Sequence, residues 1–169
     1  DKSTIIDAGV QIDWPNSRFV ALGPKTAEEL KGKLEDKIDT ISTKGTLYPI
    51  EVFKRIGNFN RTTFPHYLSD YEFGSRAKKA GFKLHLSYQA KVYNRSKATG
   101  LGYSPDTSLT LVEAFNLLFS RRSRVNLFDS INFIRLYCPP EFRVHNYLIL
   151  ARKLLLGAKH IRLHKEENL

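Results

Sequence analysis

The alternation of hydrophobic and polar positions predicts short strands at the start of the chain and helices further on. Alternating apolar residues predict strands over Thr4–Ile6, Ala8–Ile12 and Arg18–Leu22. Asp13–Asn16 has the composition of a turn between the last two. Apolar residues then recur at four-residue spacing over Ala27–Asp39, which predicts a thin amphipathic helix.

The stretch Gly45–Gly81 predicts two helices that flank an aromatic loop. Pro49 suits a first helical position, because its missing N–H needs no partner there, and Gly57 suits a left-handed stop. These two residues bound the first helix. The loop Phe59–Tyr67 follows. The second helix is predicted to begin at the acidic cluster Ser69–Glu72 and to end at Gly81.

The acidic cluster has a structural and a chemical interpretation. Ser69 followed three residues later by Glu72 has the form of a capping box, and acids in a first turn favour the helix dipole. Capping accounts for these two side chains, so we assign Glu72 to the cap. Capping does not account for Asp70, which lies beside the aromatic loop and is the acid available for chemistry.

The second half of the chain continues with a strand pattern and two helix patterns. Lys83–Asn94 alternates and predicts a strand, and the glycines and proline of Arg95–Asp106 predict a loop. Leu109–Phe119 is apolar nearly all round, so we expect it to be buried on more than one side. Leu127–Tyr137 predicts a helix that must stop before Pro139-Pro140.

A final helix is predicted from a regular apolar stripe: Val144, Tyr147, Leu148, Ala151, Leu154, Leu155, Ala158 and Ile161. The remaining surface is basic, with no acid between Arg143 and Lys165. Two interpretations stay open. The stripe packs on protein and leaves the charges in solvent, or the helix lies in the interface of an anionic membrane.

Composition bounds the class of protein. The 169 residues suit one domain, and 41% hydrophobic and 12% aromatic content indicate a folded chain. The single cysteine, Cys138, excludes an internal disulfide framework and a cysteine-rich zinc site. The chain begins at Asp1 and contains no methionine, so we expect a fragment, with 167–169 a possible tag remnant.

Positive charge is concentrated near the end of the chain. Residues 1–120 hold 17 Lys/Arg against 13 Asp/Glu, whereas residues 121–165 hold 10 against 2. Such a region indicates an anionic partner: lipid head groups, phosphates or nucleic acid. His160 and His164 are four apart but lack a third ligand nearby, and no Walker or dinucleotide glycine loop is present.

Short motifs follow one another in a specific order along the centre of the chain: Gly45-Thr46-Leu47, Glu51-Val52-Phe53, Ile56-Gly57-Asn58-Phe59, Phe64-Pro65, Asp70-Tyr71-Glu72-Phe73, Arg76 and Ala80-Gly81-Phe82-Lys83. Together they resemble the second half of family 2 glycosyltransferases. The resemblance covers residues 40–95. The run from Phe119-Ser120-Arg121-Arg122-Ser123 to Cys138-Pro139 also looks like the tails of bacterial members.

The resemblance implies an α/β fold. It would be a partial nucleotide-diphosphosugar transferase (GT-A-like) domain with a mixed sheet and helices. Residues 1–106 would form the acceptor-side half of the catalytic domain and 107–166 a basic helical tail. The implied reaction is inverting transfer of a sugar from a nucleotide-diphosphate donor to a saccharide or lipid-linked saccharide. The implied location is cytoplasmic, with peripheral contact to the inner face of a bacterial membrane.

The resemblance also implies roles for individual residues. Asp70 falls at the position of the catalytic base. The other implied contacts are Gly45, Thr46, His66 and Tyr67 for the acceptor, and Arg121 and Arg122 for the donor diphosphate. A divalent metal (Mg or Mn) is expected with the nucleotide-binding half, whose Asp-x-Asp motif does not occur in this sequence. Asn94 stands where many members carry a histidine that contacts the metal, and Asn60 where an acid is common.

A non-enzymatic binding module for nucleic acid or anionic surfaces is the alternative. The aromatic residues do not interleave with the basic ones as a stacking platform requires, and no zinc-finger or RNP-type motif occurs. We therefore expect no nucleic-acid partner. Phosphate-driven binding, if present, must weaken steeply with salt, which separates the two classes.

Overall fold

The computed structural model describes residues 9–22, 38–87, 90, 92, 111–121, 123 and 126–166. Several predictions lie outside these residues: the strand Thr4–Ile6, the helix over 27–37 and the loop Arg95–Asp106. The side chains of the last helix beyond Leu154, including both histidines of the His160–His164 pair, also lie outside them. The described part has a mixed α/β composition, which confirms the general class.

Two antiparallel strands form a hairpin, β1 (Val10–Asp13) and β2 (Arg18–Ala21). The side chain of Asp13 closes the turn. Its Oδ1 accepts from the Asn16 backbone N–H at 3.2 Å, and its Oδ2 accepts from Nε of Arg18 at 2.8 Å. Both predicted strands and the turn between them are confirmed to within two residues.

The segment that follows residue 37 runs beside β1. Val10 donates its N–H to the carbonyl of Thr40 at 2.9 Å and accepts from the N–H of Asp39 at 2.9 Å. Oδ2 of Asp39 accepts from the N–H of Ile12 at 2.8 Å. The helix predicted over Ala27–Asp39 is therefore wrong at its end, because Asp39 and the next residue, Thr40, bond to a strand instead.

Two helices flank the aromatic loop as predicted, α1 (Ile50–Ile56) and α2 (Ser69–Lys79). Pro49 immediately precedes α1, and Gly57 ends it with a φ of 75° and an N–H donated to the carbonyl of Phe53. Gly81, with a φ of 89°, follows α2. These positive φ values favour glycine, which explains why both helix ends were readable.

Aromatic side chains pack the two helices together. Val52, Phe73 and Ala77 are buried at the centre. The Phe73 ring stacks on Phe59 with centroids 4.3 Å apart and meets Tyr48 edge-on at 5.0 Å. The loop is therefore fixed against α2 by the same residues that form this core.

Gly74 permits a close crossing between α2 and the segment that contains Thr40. The Thr40 hydroxyl donates to the carbonyl of Tyr71 at 2.7 Å. A Cβ on Gly74 would lie 2.6 Å from Oγ1 of Thr40 and 3.1 Å from the backbone N of Ile41. Only a residue without a side chain fits there.

The helical region comprises α3 (Leu111–Phe119), α4 (Leu127–Tyr137) and α5 (Pro140–Glu166). The bounds of α4 agree with the prediction. Phe133 of α4 is buried against the rest of the chain, with ring centroids 5.3 Å from Phe19, 6.1 Å from Trp14 and 6.2 Å from Phe64. This contact joins the helical region to the hairpin and to the aromatic loop.

One prediction about burial is wrong, and one of the two interpretations of α5 loses support. Val112 and Phe115 of α3 are exposed, so α3 is not covered on several sides. Val144 and Leu148 of the predicted α5 stripe are exposed too, and α5 packs instead through Asn146, which is buried. The Asn146 amide donates to the carbonyls of Trp14 at 2.8 Å and Phe142 at 2.9 Å. Periodicity shows that a face is apolar; it does not show which face a neighbour covers.

The predicted strand Lys83–Asn94 is wrong where it can be compared. Residues 82–87 form neither strand nor helix, although Leu84 is buried. Alternation there reflects one covered side of an irregular segment. Within the described ranges, no helix combines the length and the apolar composition that crossing a bilayer requires.

Candidate functional site

Asp70 lies in the first turn of α2, and the predicted capping box around it is wrong. Leu68 is the N-cap, with a left-handed φ of 60°, and no side chain caps the helix. Ser69 is therefore the first helical residue, and its hydroxyl donates to the carbonyl of His66 at 2.9 Å. The half-buried Asp70 carboxylate accepts from the N–H of Tyr71 at 2.9 Å. That bond holds the carboxylate in a definite direction.

Glu72 is buried, connects α2 with α4 and has no capping role. Nε of Arg76 lies 2.9 Å from its Oε1, and Tyr137 donates its hydroxyl to the same oxygen at 2.7 Å. Because the helix begins one residue before the expected position, Glu72 points into the core. Burial and the Glu72 carboxylate together raise the pKa of Tyr137, so this phenol stays protonated and remains a donor.

The Arg76 guanidinium extends this connection towards the end of α1. It donates to the carbonyl of Ile56 and, at 2.8 Å, to that of Asn58. It also lies 5.2 Å above the Phe73 ring. One side chain thus satisfies a buried acid and the carbonyls at a helix end, which fixes α1 relative to α2.

Tyr48, at the end of the Gly45–Tyr48 loop, lies within electrostatic range of Asp70. Burial, and secondly the negative charge of Asp70, raise the pKa of Tyr48 to about 12. The phenol oxygen is buried and has no hydrogen-bond partner among the described residues. A buried hydroxyl without a partner is uncommon in native proteins, so this one has unused hydrogen-bonding capacity.

The residues that the sequence implies for acceptor binding occupy two loops. Gly45 has a φ of 76°, and a Cβ there would lie 2.4 Å from Cγ2 of Val92. The Thr46 hydroxyl donates to the carbonyl of Ser42 and is engaged within its own loop. In the second loop the rings of His66 and Tyr67 meet edge-on, with centroids 4.7 Å apart.

A second acid, Asp129, lies within electrostatic range of both His66 and Arg121. It is buried in the first turn of α4, and burial raises its pKa to about 6, while Arg121 and His66 act in the opposite direction. Its Oδ2 has no hydrogen-bond partner within the described part of the chain. Asp129 thus lies within electrostatic range of one predicted acceptor residue and one predicted diphosphate residue, and the sequence reasoning missed it.

A sequence signal for Asp129 exists. Asn126 and Asp129 have the N-cap and N3 spacing, and Oδ1 of Asn126 accepts from the N–H of Asp129 at 3.0 Å. The pattern identifies a helix start, but it does not show that the carboxylate is buried. Arg122, the other predicted diphosphate residue, lies outside the described residues.

The described residues do not fit a divalent metal. In the ranges that the structure covers, no three His, Cys, Asp or Glu side chains come close enough to hold an ion. The chemistry available here is proton transfer at Asp70, hydrogen bonding at Tyr48 and cation contact at Arg121. No protein-family model, curated protein or solved structure matches this chain.

Proposed function

We propose that this chain supplies the acceptor side of an inverting glycosyltransferase site in which Asp70 is the general base. One observation carries the proposal: a half-buried carboxylate, directed by the N–H of Tyr71, lies in the first turn of a helix directly after the aromatic loop. A base needs a fixed position before it needs a suitable pKa. The order of motifs around Asp70 supports the same role by resemblance.

The proposed reaction has one proton transfer and one displacement. An acceptor hydroxyl gives its proton to the Asp70 carboxylate as its oxygen attacks the anomeric carbon of the donor. The bond between that carbon and the diphosphate oxygen breaks, and the nucleoside diphosphate leaves. Attack from the side opposite the leaving group inverts the anomeric configuration.

Local structure favours the charged form of the base. The positive end of the α2 dipole and the N–H of Tyr71 both stabilise a carboxylate at Asp70, at some cost in basicity. The aromatic rings of His66 and Tyr67 provide an apolar face for a sugar at the aromatic loop.

The leaving diphosphate would be held by cations. Arg121 is exposed at the end of α3, and guanidinium groups bind phosphate oxygens with two parallel hydrogen bonds. Arg122 takes the same role in the proposal. The metal and the nucleotide would bind to the half that bears an Asp-x-Asp motif, and no step is assigned to them here.

The test requires a protein in which this chain is joined to a nucleotide-binding half. It is incubated with UDP- and GDP-sugars, Mg²⁺ or Mn²⁺, and saccharide or lipid-linked acceptors. We expect acceptor-dependent release of nucleoside diphosphate and a product whose anomeric configuration, measured by NMR, is opposite to that of the donor. We expect residues 1–169 alone to release none. Retention of configuration would contradict the proposal, as would release by the isolated chain.

A further inference from the structure

Large apolar side chains on α3 and α4 form one exposed surface. Its members are Val112, Phe115 and Phe119 on α3 and Phe128 and Ile131 on α4, and we call them the α3–α4 surface. Val112 is 69%, Phe115 62% and Phe128 58% exposed. Ring centroids are 4.6 Å apart between Phe115 and Phe119 and 5.9 Å apart between Phe119 and Phe128. The surface is therefore continuous across the two helices.

Helical spacing explains why this surface faces away from the core. Val112, Phe115 and Phe119 are three and four residues apart, so they share one face of α3. On α4, Phe128 and Ile131 have the same spacing, whereas Phe133 lies on the opposite face and is buried. One face of α4 is therefore packed in the core, and the opposite face is apolar and exposed.

Basic side chains border the surface. The connection between the helices carries Arg121, Arg122 and Arg124 in sequence, and Arg121 is exposed. Arg135 continues the exposed face of α4 one turn beyond Ile131. Two acids on these helices oppose this charge: Glu113 is exposed on α3, and Asp129 is buried on the core side of α4. By sequence, residues 111–137 carry four arginines against these two acids, a net charge of +2.

We propose that the α3–α4 surface binds the interface of an anionic lipid bilayer, with the phenylalanine rings among the upper acyl chains and the arginines at lipid phosphates. A continuous exposed apolar patch marks an interaction site in soluble proteins. Apolar residues combined with a basic border are the features that bind anionic membranes peripherally. The apolar part of this proposal rests on α3 and α4 and does not use the α5 stripe. It shares Arg121 and Arg122 with the proposed diphosphate contact, whereas its apolar residues take no part in the transferase reaction.

The arrangement favours lipid over nucleic acid or a second copy of this chain. A single-stranded nucleic acid needs aromatic rings spaced between cations for base stacking, whereas here the rings contact one another and the cations lie at the border. A second copy would bring the same basic border against itself, and like charges oppose such pairing.

The experiment is vesicle co-sedimentation of the full chain. Vesicles of phosphatidylcholine alone are compared with vesicles that contain phosphatidylglycerol, in low and high salt. We expect binding to the anionic vesicles that weakens with salt. The combined variant Phe115→Ser, Phe119→Ser, Phe128→Ser should bind at least about tenfold more weakly, because the apolar contribution is removed.

The control variant is Leu47→Ser, Ile50→Ser beside the start of α1, where the side chains are 93% and 60% exposed. It should bind like the unmodified chain. Equal loss in the control and the test variant would overturn the proposal, as would equal binding to both kinds of vesicle. A change of oligomeric state in the test variant, or competition by RNA, would also overturn it, because each identifies a different occupant.

A second variant keeps the proposal testable if the serine variant does not fold. Phe115→Trp places an indole on the surface, and brominated phospholipids quench indole fluorescence at short range. We expect stronger quenching than in the unmodified chain, whose only tryptophan, Trp14, packs against Phe133. Equal quenching in the two proteins would contradict insertion of this surface.

Discussion

The hydroxyl of Tyr137 donates to Oε1 of Glu72 at 2.7 Å, across 65 positions of sequence. The same carboxylate is paired with Arg76 at 2.9 Å. This bond ties α4 to α2, the helix that carries Asp70. The position of the proposed base therefore depends on a contact that no local pattern shows.

Removing that hydroxyl should destabilise the fold. Tyr137→Phe leaves the buried Glu72 carboxylate with one hydrogen bond fewer, so we expect the free energy of unfolding to fall by about 1–3 kcal/mol. Urea denaturation followed by circular dichroism measures the change. Tyr147→Phe on α5 is the control, and a loss of the same size there would show that the effect is not specific to the Glu72 bond.

Tyr48→Phe, in contrast, should leave the stability of the fold nearly unchanged. The Tyr48 hydroxyl is buried and has no partner among the described residues, so its removal deletes a desolvated group and breaks no recorded bond. We expect a free energy of unfolding within about 0.5 kcal/mol of the unmodified chain, or slightly above it. A cost as large as that of Tyr137→Phe would contradict this description of the phenol.

Asp129 should make stability fall as the pH rises. Burial raises its pKa from 3.8 to about 6, so between these values the folded chain holds a proton that the unfolded chain has lost. Because the folded state binds more protons in this window, the free energy of unfolding declines with pH until about 6. Asp129→Asn removes that decline, and urea midpoints at pH 4 and pH 7 measure it.

The control for this titration is Asp13→Asn. Hydrogen bonds from Arg18 and then from Asn16 lower the pKa of Asp13, so its contribution is present at neutral pH and is lost as the pH falls through the folded-state value. Asp13→Asn should therefore change the pH dependence in the opposite direction to Asp129→Asn. The same pH profile for Asp129→Asn and the unmodified chain would contradict the buried state of Asp129.

Gly74→Ala tests the close crossing of α2. Alanine is the better helix former, yet its Cβ would lie 2.6 Å from Oγ1 of Thr40 and 3.1 Å from the backbone N of Ile41. We expect a net loss of about 1–3 kcal/mol, because the backbone at Ile41 cannot move away as a flexible side chain would. A gain in the urea midpoint would show that the crossing is looser than described.

Local signals predicted most element bounds. The helix α4 agrees with its apolar period and the prolines after it, and α1 and α2 end beside Gly57 and Gly81, where φ is positive. The predictions failed where distant residues decide the outcome. Glu72 has a spacing typical of a cap, but Tyr137 and Arg76 draw it into the core.

In the candidate site too, local sequence patterns predict some features, and the packing of distant segments decides the others. The place of Asp70 in the first turn of a helix could be predicted, because the helix start is visible in the sequence; its role stays a prediction. The neighbourhood of Tyr48 and the approach of His66 to Asp129 depend on how separate segments pack, which one chain's pattern does not encode. The face of α5 that packs was missed because Asn146, a polar residue, makes the buried contact.

The role of Asp70 as the general base is tested most directly by kcat for sugar transfer in the protein that joins this chain to a nucleotide-binding half. Asp70→Asn keeps the side-chain shape and removes the proton acceptor, so kcat should fall about 10²–10⁴-fold. Glu51→Gln, which changes an exposed acid in the first turn of α1, should leave kcat unchanged. Transfer by Asp70→Asn at the rate of the Glu51→Gln control would contradict the assignment.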